Sequence, residues 1–253
     1  MAQLPLYSPT DLNHITDCTL KYSFFEQVDP LLTDNVTEDE YLETVVLKTI
    51  QHLHASGGPF RLNLPATLRT LERAIREYEV ENNSAYVAAR QMVATYHRQL
   101  KAEWPNVIAS NERMELTIRL PRNALQVEDV IDRVDKMPDG GITGVKFILS
   151  TEPLPLQIPD SSIETTILHA LIAAAYPGRR PVRLKYLFLF QNQTETIELT
   201  ENQFRQNLAK MKSRVQAWLD GEILARPGPY CEACPFQYEG CPLFYQADQV
   251  SDI

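Results

Sequence analysis

The chain has 253 residues, 44% of them hydrophobic, which is enough to bury a sizeable core as one large domain or two small ones. Its 33 Asp and Glu outnumber its 24 Lys and Arg, which excludes a protein that coats nucleic acid non-specifically but allows a local basic groove. No apolar run approaches the length of about 18 residues that a membrane helix needs, and the N-terminus lacks the basic start and apolar run of a signal peptide. We therefore expect a soluble, cytoplasmic protein with no membrane partner.

The first hundred residues have the patterns of helices. Ser8 can cap a first helix, Pro9 suits its first turn, and Asp11 lies near its positive end, so we expect this helix to lead to Cys18. Residues 29–37 have the composition of a loop. Apolar residues at helical spacing then predict three further helices, at 38–54, 64–78 and 84–104.

From Met114 onwards the apolar residues alternate, which indicates strands. The segments 115–120 and 127–135 are predicted to be strands, and a Gly-rich turn at 137–141 leads to a returning strand at 142–149. The remaining elements are predicted to be a helix at 161–176, strands at 186–190 and 196–199, and a last helix from 200 to 221.

The four cysteines are the candidate ligands of an inorganic cofactor. Cys231, Cys234 and Cys241 lie in one short loop, and Cys18 lies near the other end of the chain. A disulfide framework is disfavoured because a chain without a signal peptide is expected in a reducing compartment. Structural zinc sites usually draw on two close pairs of ligands, and only His14 is near Cys18. An iron–sulfur cluster accepts a three-plus-one distribution, but the spacing alone leaves zinc and cluster both open.

Both ends of the chain resemble one known family. Residues 215–244, in which a helix, a Gly and an Arg-Pro precede Cys-x-x-Cys and a third Cys, resemble the C-terminal signature of the RecB-like nucleases of the PD-(D/E)XK superfamily. These include the CRISPR-associated RecB-like exonucleases and the AddB nuclease domain. Residues 8–24 are similar to the opening helix and first Cys of that family.

The resemblance implies a fold and a cofactor. The fold would be an α/β PD-(D/E)XK core, similar to restriction endonucleases. The cofactor would be a structural 4Fe-4S cluster that joins the two ends of the chain, with zinc as the alternative. Its ligands would be Cys18, Cys231, Cys234 and Cys241. We expect a single domain over 1–253, with a helical insertion at 36–105, a nuclease-like core at 112–222 and a cysteine loop at 226–244.

The resemblance also assigns candidate catalytic residues. In the family, Gly-x-Ile-Asp-Arg-x-Asp is followed by Asp or Glu, one residue and Lys, and the two carboxylates hold Mg or Mn, which supplies the attacking water. Here 131–135 matches the first motif, so Asp132 takes the first carboxylate position and Lys146 takes the Lys position. Gly144 stands where the second carboxylate belongs. Asp132 would therefore bind Mg alone and weakly, because Mg²⁺ dehydrates reluctantly.

Two more family positions are altered. Leu47 stands where a His is expected, four residues after Glu43 at the position of a Gly. Thr165 stands where the Gln of a Gln-x-x-x-Tyr helix is expected, and His169 takes the Tyr position. Glu164 is the one neighbouring carboxylate that could replace the missing acid.

Two functions follow from the resemblance. One is a degenerate nuclease that serves as a DNA-binding or scaffolding subunit, beside a helicase or nuclease partner. The other is an active Mg- or Mn-dependent exonuclease that acts on DNA ends.

Overall fold

The structure is a computed structural model that describes residues 4–27, 38–78, 83–151, 162–232, 234–237 and 240–244. The predicted loop at 29–37 lies outside these residues. The helices are α1 (Pro9–Asp17), α2 (Thr19–Gln27), α3 (Glu38–Ala55), α4 (Leu64–Glu77), α5 (Asn83–Ala102), α6 (Ile163–Ala175) and α7 (Glu201–Leu219). The strands are β1 (Leu6–Tyr7), β2 (Asn106–Arg119), β3 (Ala124–Lys136), β4 (Ile142–Ile148), β5 (Val182–Phe188) and β6 (Gln193–Ile197).

These strands form one mixed sheet in the order β1-β3-β4-β5-β6, with β2 paired to β3. The pairs β1–β3 and β4–β5 are parallel, and the remaining pairs are antiparallel. The α/β fold class expected from the sequence is confirmed. A central mixed sheet with helices on both faces is consistent with a PD-(D/E)XK nuclease-like fold.

Two apolar layers cover opposite faces of this sheet, because successive side chains of a strand point to opposite sides. On one face, α1, α6 and α7 pack on strand residues such as Ile131 and Leu184. On the other face, α3, α4 and α5 enclose Val145 and Phe147 together with the fully buried Tyr96. Adjacent residues of β4 therefore belong to different layers.

The start of α1 follows the expectation from the sequence. Ser8 Oγ accepts a hydrogen bond from the backbone N–H of Asp11 at 3.1 Å, and Asp11 Oδ2 accepts one from the backbone N–H of Ser8 at 2.8 Å. This reciprocal cap satisfies donors that the first turn would leave open. It fixes the direction in which α1 runs towards Cys18.

The boundaries of several strands differ from the predictions, since β3 and β6 each begin three residues earlier than expected and β2 and β5 differ more. β2 begins at Asn106 rather than at 115, and its first half pairs with the end of β3, for example Val107 with Asp135. β5 begins at Val182 rather than at 186, since Val182 and Leu184 are buried on the α6 face. Among the described residues, no helix is long and apolar enough to cross a membrane.

Candidate functional site

The two ends of the described chain meet beside the junction of α1 and α2. Thr19 Oγ1 accepts a hydrogen bond from the backbone N–H of Leu224 at 2.7 Å and donates one to its carbonyl at 3.2 Å. The hydroxyl of Tyr230 donates to the carbonyl of Asp17 at 2.6 Å. These bonds place the loop after α7 against the residues on either side of Cys18.

All four cysteines line one small cavity at this junction. Cys18 and Cys241 are buried, and Cys231 and Cys234 are partly buried. Phe24 and Phe236 also line the cavity, with ring centroids 4.8 Å apart. The structure therefore brings together the four residues that the sequence singled out.

Positively polarised groups surround this cavity. The guanidinium of Arg226 lines it, and its Nη1 is buried without a hydrogen-bond partner among the described residues. Cys18 Sγ accepts a hydrogen bond from the backbone N–H of Lys21 at 3.5 Å. A buried N–H group of a cation that lacks a partner is costly unless an acceptor or anion offsets it, so the cavity suits a negatively charged group.

No three His, Cys, Asp or Glu side chains of the described ranges are close enough together to hold a single metal ion. Sulfurs that share one zinc lie about 2.3 Å from it, so they crowd together. The thiolates of a four-iron cluster each bind a different iron and stand further apart.

The candidate catalytic residues lie where β3 and β4 diverge. The ladder between these strands ends at Arg133 and Val145, and Asp132 Oδ2 accepts the next backbone N–H, that of Phe147, at 2.8 Å. Lys146 Nζ donates to Asp129 Oδ2 at 3.1 Å and to the carbonyl of Val130 at 2.9 Å. The salt bridge of Lys146 is therefore with Asp129 and not with Asp132.

Burial dominates the electrostatics of this centre. It raises the pKa of Asp132 to about 6, against the lowering effects of Lys146 and of the Phe147 N–H, and the charges of Asp129 and Glu43 raise it further. Burial also raises the pKa of Glu164, with Lys146 lowering it and Asp129 raising it. The carboxyl groups of Asp129, Asp132 and Glu164 therefore lie around the ammonium of Lys146. Burial makes Asp132 and Glu164 harder to ionise than free carboxyl groups.

A hydrophobic side chain fills the space beside Gly144, the position at which the resemblance leads us to expect the second carboxylate. A Cβ atom at Gly144 would lie 2.2 Å from Cδ1 of Ile172 and 3.1 Å from its Cγ1. Contacts that short do not occur, so an acidic side chain could enter only if Ile172 moved. Ile172 is fully buried on α6, which packs against β5 and the face of the sheet that includes Gly144.

The other altered positions have structural contacts. Leu47 packs against the helical layer of α3 to α5. Thr165 is fully buried, and its hydroxyl lies 3.3 Å from that of Tyr186 on β5. His169 packs on Phe204 of α7, with ring centroids 5.1 Å apart, and burial lowers its pKa to about 4.

Asp129 is the residue of this centre that the sequence analysis missed. It lies on β3, which was predicted from its alternating apolar residues. In such a strand, an Asp between apolar residues is expected to face solvent and not a functional site. Glu43 was noted only as a departure from a Gly, although its charge acts on Asp132. No signal in the sequence marks Asp129, because its salt bridge to Lys146 joins two different strands.

Comparison with protein families gives the relationship directly. The family model of the PD-(D/E)XK nuclease superfamily matches residues 6–241. The chain belongs to the PD-(D/E)XK nuclease superfamily.

Solved structures share the fold at low sequence identity. A protein from Eubacterium rectale, provisionally named an exonuclease, has 12% identity and a TM-score of 0.50, with 90% of this chain and 86% of that chain covered. The protein SSO0001 has 12% identity and a TM-score of 0.44, with 97% and 90% covered. A comparison with curated proteins gives no match.

Proposed function

We propose that this member of the superfamily is a RecB-like protein that holds a 4Fe-4S cluster and binds DNA without cutting it, as a DNA-binding or scaffolding subunit. The observation that carries the loss of catalysis is the contact at Gly144, where Ile172 fills the space of the second metal-binding carboxylate. The resemblance to RecB-like nucleases, including the CRISPR-associated ones, supports DNA as the ligand and a helicase or nuclease as the partner.

The cluster proposal rests on the cysteine-lined cavity. Cys18, Cys231, Cys234 and Cys241 would be its ligands, since thiolates are the usual ligands of such clusters. Four thiolates give a 4Fe-4S cluster a net negative charge, which would provide an electrostatic partner for the partly buried Arg226, whose Nη1 has none. Zinc is the alternative, and it would require the four sulfurs to converge more closely.

The cluster would have a structural role. Its ligands join residues before α2 to residues after α7, in addition to the hydrogen bonds between Thr19 and Leu224. A group bound only by the folded chain stabilises that fold by its binding free energy.

The loss of catalysis follows from how Mg²⁺ is bound. This ion keeps several waters and needs charged anchors, usually one or two carboxylates together with substrate phosphates. Asp132 has a pKa of about 6 and uses one oxygen to accept the Phe147 N–H. A single carboxylate that already accepts a hydrogen bond should bind Mg²⁺ weakly, so we expect little or no DNA cleavage.

A second function is favoured by a different observation. Two carboxylates besides Asp132 lie near Lys146. Its ammonium donates a hydrogen bond to Asp129, and its charge lowers the pKa of Glu164. If a divalent ion displaced Lys146 from Asp129, then Asp129, Asp132 and Glu164 could supply carboxylates in place of residue 144. In that case the protein would be an active Mg- or Mn-dependent DNA exonuclease.

One experiment separates these functions. The iron-replete protein is incubated with labelled single- and double-stranded DNA in Mg²⁺ or Mn²⁺, and binding and cleavage are measured on the same samples. Asp132→Ala, Lys146→Ala and Glu164→Gln are compared with Glu201→Gln, which removes an exposed carboxylate at the start of α7. We expect binding without cleavage in every sample.

Cleavage that Asp132→Ala and Lys146→Ala abolish, and that Glu201→Gln leaves unchanged, would establish the exonuclease instead. Absence of both binding and cleavage would contradict both functions. A colourless protein that contains zinc and no iron would refute the cluster.

A further inference from the structure

The outer surface of α4 carries a row of arginines, which we call the α4 stripe. It consists of Arg69, Arg73 and Arg76, spaced four and three residues apart, and all three are exposed. This spacing places them within about 60° of one another around the helix. The buried residues Leu71 and Ala74 lie on the opposite side of α4.

The α4 stripe is separate from the carboxylate centre, which consists of Asp129, Asp132, Glu164 and Lys146. α4 packs mainly on α3 and α5, and its buried side belongs to the apolar layer that these helices form on the sheet. The stripe therefore faces away from the sheet. A ligand on the stripe would not depend on a metal ion at the carboxylate centre.

Carboxylates of the protein do not neutralise the stripe. In the part of the chain that the structure describes, neither Arg69 nor Arg73 forms an ion pair. Arg76 donates through Nε to the backbone carbonyl of Glu72 at 3.2 Å. The carboxylate of Glu72 binds Arg90 of α5 instead, at 3.3 Å. The terminal nitrogens of the three stripe arginines are therefore available to an anionic ligand.

Three further cations lie where α4 begins and α5 ends. Nε2 of His97 on α5 lies 2.9 Å from the carbonyl oxygen of Leu62, just before α4. This contact holds the loop that contains Arg61 against the last turns of α5, which contain Arg98 and Lys101. These three cations are exposed and form no salt bridge within the described ranges.

The charge of this surface differs from that of the whole molecule. Residues 60–104 contain seven Lys and Arg and five Glu, whereas the chain as a whole has a net charge of −9. The exposed carboxylates Glu77 and Glu103 lie at the ends of α4 and α5, away from the middle of the stripe. A polyanion is attracted to a basic surface and repelled by the acidic remainder, so we expect it to bind here.

Two exposed aromatic rings lie beside these cations. Phe60, which precedes Arg61, is 64% exposed and packs edge-on against Trp104, with 5.9 Å between the ring centroids. Trp104 is 43% exposed and lies directly on the backbone of Gly58, where a Cβ would be 1.8 Å from its Cη2. Proteins that bind single-stranded nucleic acid combine cations along the phosphate backbone with rings on which bases stack.

We propose that the α4 stripe and the pair of Phe60 and Trp104 bind single-stranded DNA. This role rests on the DNA binding proposed above, and it assigns that binding to the outer helical surface rather than to the carboxylate centre. The stripe arginines bind phosphates over about 10 Å of the helix. Phe60 stacks on a base, which a single strand leaves free and a duplex does not. An acidic peptide would match the arginines equally, and the aromatic pair is what favours nucleic acid.

The first test measures the salt dependence of binding. Fluorescence anisotropy follows the full chain with a labelled oligothymidylate at several salt concentrations, without divalent cations, so that no metal at the carboxylate centre can hold the DNA. Arg69→Gln/Arg73→Gln should weaken binding at least about tenfold at 0.1 M salt. It should also reduce the slope of log K against log salt concentration by about 1.4, since each phosphate contact to a single strand contributes about 0.7.

The matched control is Arg119→Gln/Arg179→Gln. It removes two exposed arginines outside the helical layer, so the net charge of the chain changes by the same amount. It should leave the affinity within about twofold of the wild type and the salt dependence unchanged. A general effect of net charge would weaken both double variants equally.

The second test separates stacking from charge. Phe60→Ala should weaken binding of oligothymidylate about fivefold or more and leave the salt slope unchanged. Binding of an abasic strand of the same length should not respond to this variant, because it has no base to stack. Poly-L-glutamate of equal charge should compete poorly with oligothymidylate for the same reason. The exposed Phe60 can be removed with little effect on the core.

The outcomes distinguish this assignment from the proposed function. If the wild type binds DNA and the two double variants bind it equally well, DNA binds elsewhere and the stripe is not its site, although the protein remains a DNA-binding one. If the wild type binds no DNA, both proposals are wrong. If poly-L-glutamate competes as well as oligothymidylate, or if Phe60→Ala has no effect, the surface fits an acidic protein and the assignment to single-stranded DNA is refuted.

Discussion

The cysteine-lined cavity and the carboxylate centre stand in contrast within one chain. Every cysteine that the RecB-like resemblance requires is present and lines the same space. At Gly144, where the resemblance leads us to expect the second acid, Ile172 occupies the space that a side chain would need. The contrast teaches that the proposed cluster, which would hold the fold together, and the catalytic chemistry that we propose is lost depend on different residues.

The largest expected effect comes from removing a cysteine. Cys234→Ser should abolish the cluster and lower the free energy of unfolding by several kcal/mol, because binding free energy is folding free energy here. For a chain of this size the Tm should fall by roughly 10 °C or more. Scanning calorimetry and iron analysis on the same sample measure both effects.

The matched control is Tyr230→Phe, which removes the hydrogen bond to the carbonyl of Asp17 and leaves the sulfurs in place. It should cost only about 1 kcal/mol and keep the iron. If Cys234→Ser were no less stable than Tyr230→Phe, the cysteines would not tie the ends of the chain.

A smaller effect is expected from returning the lost acid. Gly144→Asp should destabilise the protein by about 1–3 kcal/mol, because the new side chain overpacks the site against Ile172. Ile172→Val removes the Cδ1 methyl that causes the shortest contact, at a cost of about 0.5–1.5 kcal/mol by itself. Chemical denaturation of both single variants and of the double variant measures the coupling.

The double variant should be more stable than the sum of the two single effects, and it should bind Mn²⁺ more tightly than the wild type. Gly144→Ala, with and without Ile172→Val, separates the steric part from the carboxylate. Strict additivity of the two changes would show that Ile172 does not occupy the place of the acid.

The smallest effect is a gain in stability. The pKa of Asp132 rises from its ordinary value of 3.8 to about 6 in the folded protein, so the folded state keeps a proton that the unfolded state has released between these values. The stability contributed by this group is thus present below pH 3.8 and lost as pH rises through 6. Asp132→Asn should stabilise the protein by about 1–2 kcal/mol at pH 7 to 8.

That gain should vanish near pH 4, which denaturation curves at several pH values can follow. Asp129→Asn is the comparison, since it breaks the salt bridge to Lys146 and should not stabilise the protein. Equal gains from both variants at all pH values would contradict the assignment of the raised pKa to Asp132.

Much of the fold could be predicted from the sequence, since local patterns specify it. Some of these patterns lie within a single helix and match the structure. They are the cap at Ser8 and the helical spacing of apolar residues in α3, α5 and α7. The first half of β2 could not be predicted. Its residues mix polar and apolar side chains without a regular alternation, none of them is buried, and they form a strand because they pair with the end of β3.

Less of the candidate site than of the fold could be predicted from the sequence. The motif around Asp132 and Lys146 identified the centre, and the gap at Gly144 was visible, but its filling by Ile172 depends on how α6 packs on the sheet. Asp129 joined the centre through a salt bridge across two strands, which no spacing along the chain reveals.

The most direct test of the contrast between the two regions is one crystal grown with Mn²⁺ and measured by anomalous scattering at the iron and manganese edges. The account predicts an iron signal among Cys18, Cys231, Cys234 and Cys241, and no manganese signal beside Asp132 and Lys146. Manganese bound beside Asp132, or no iron among the cysteines, would contradict it.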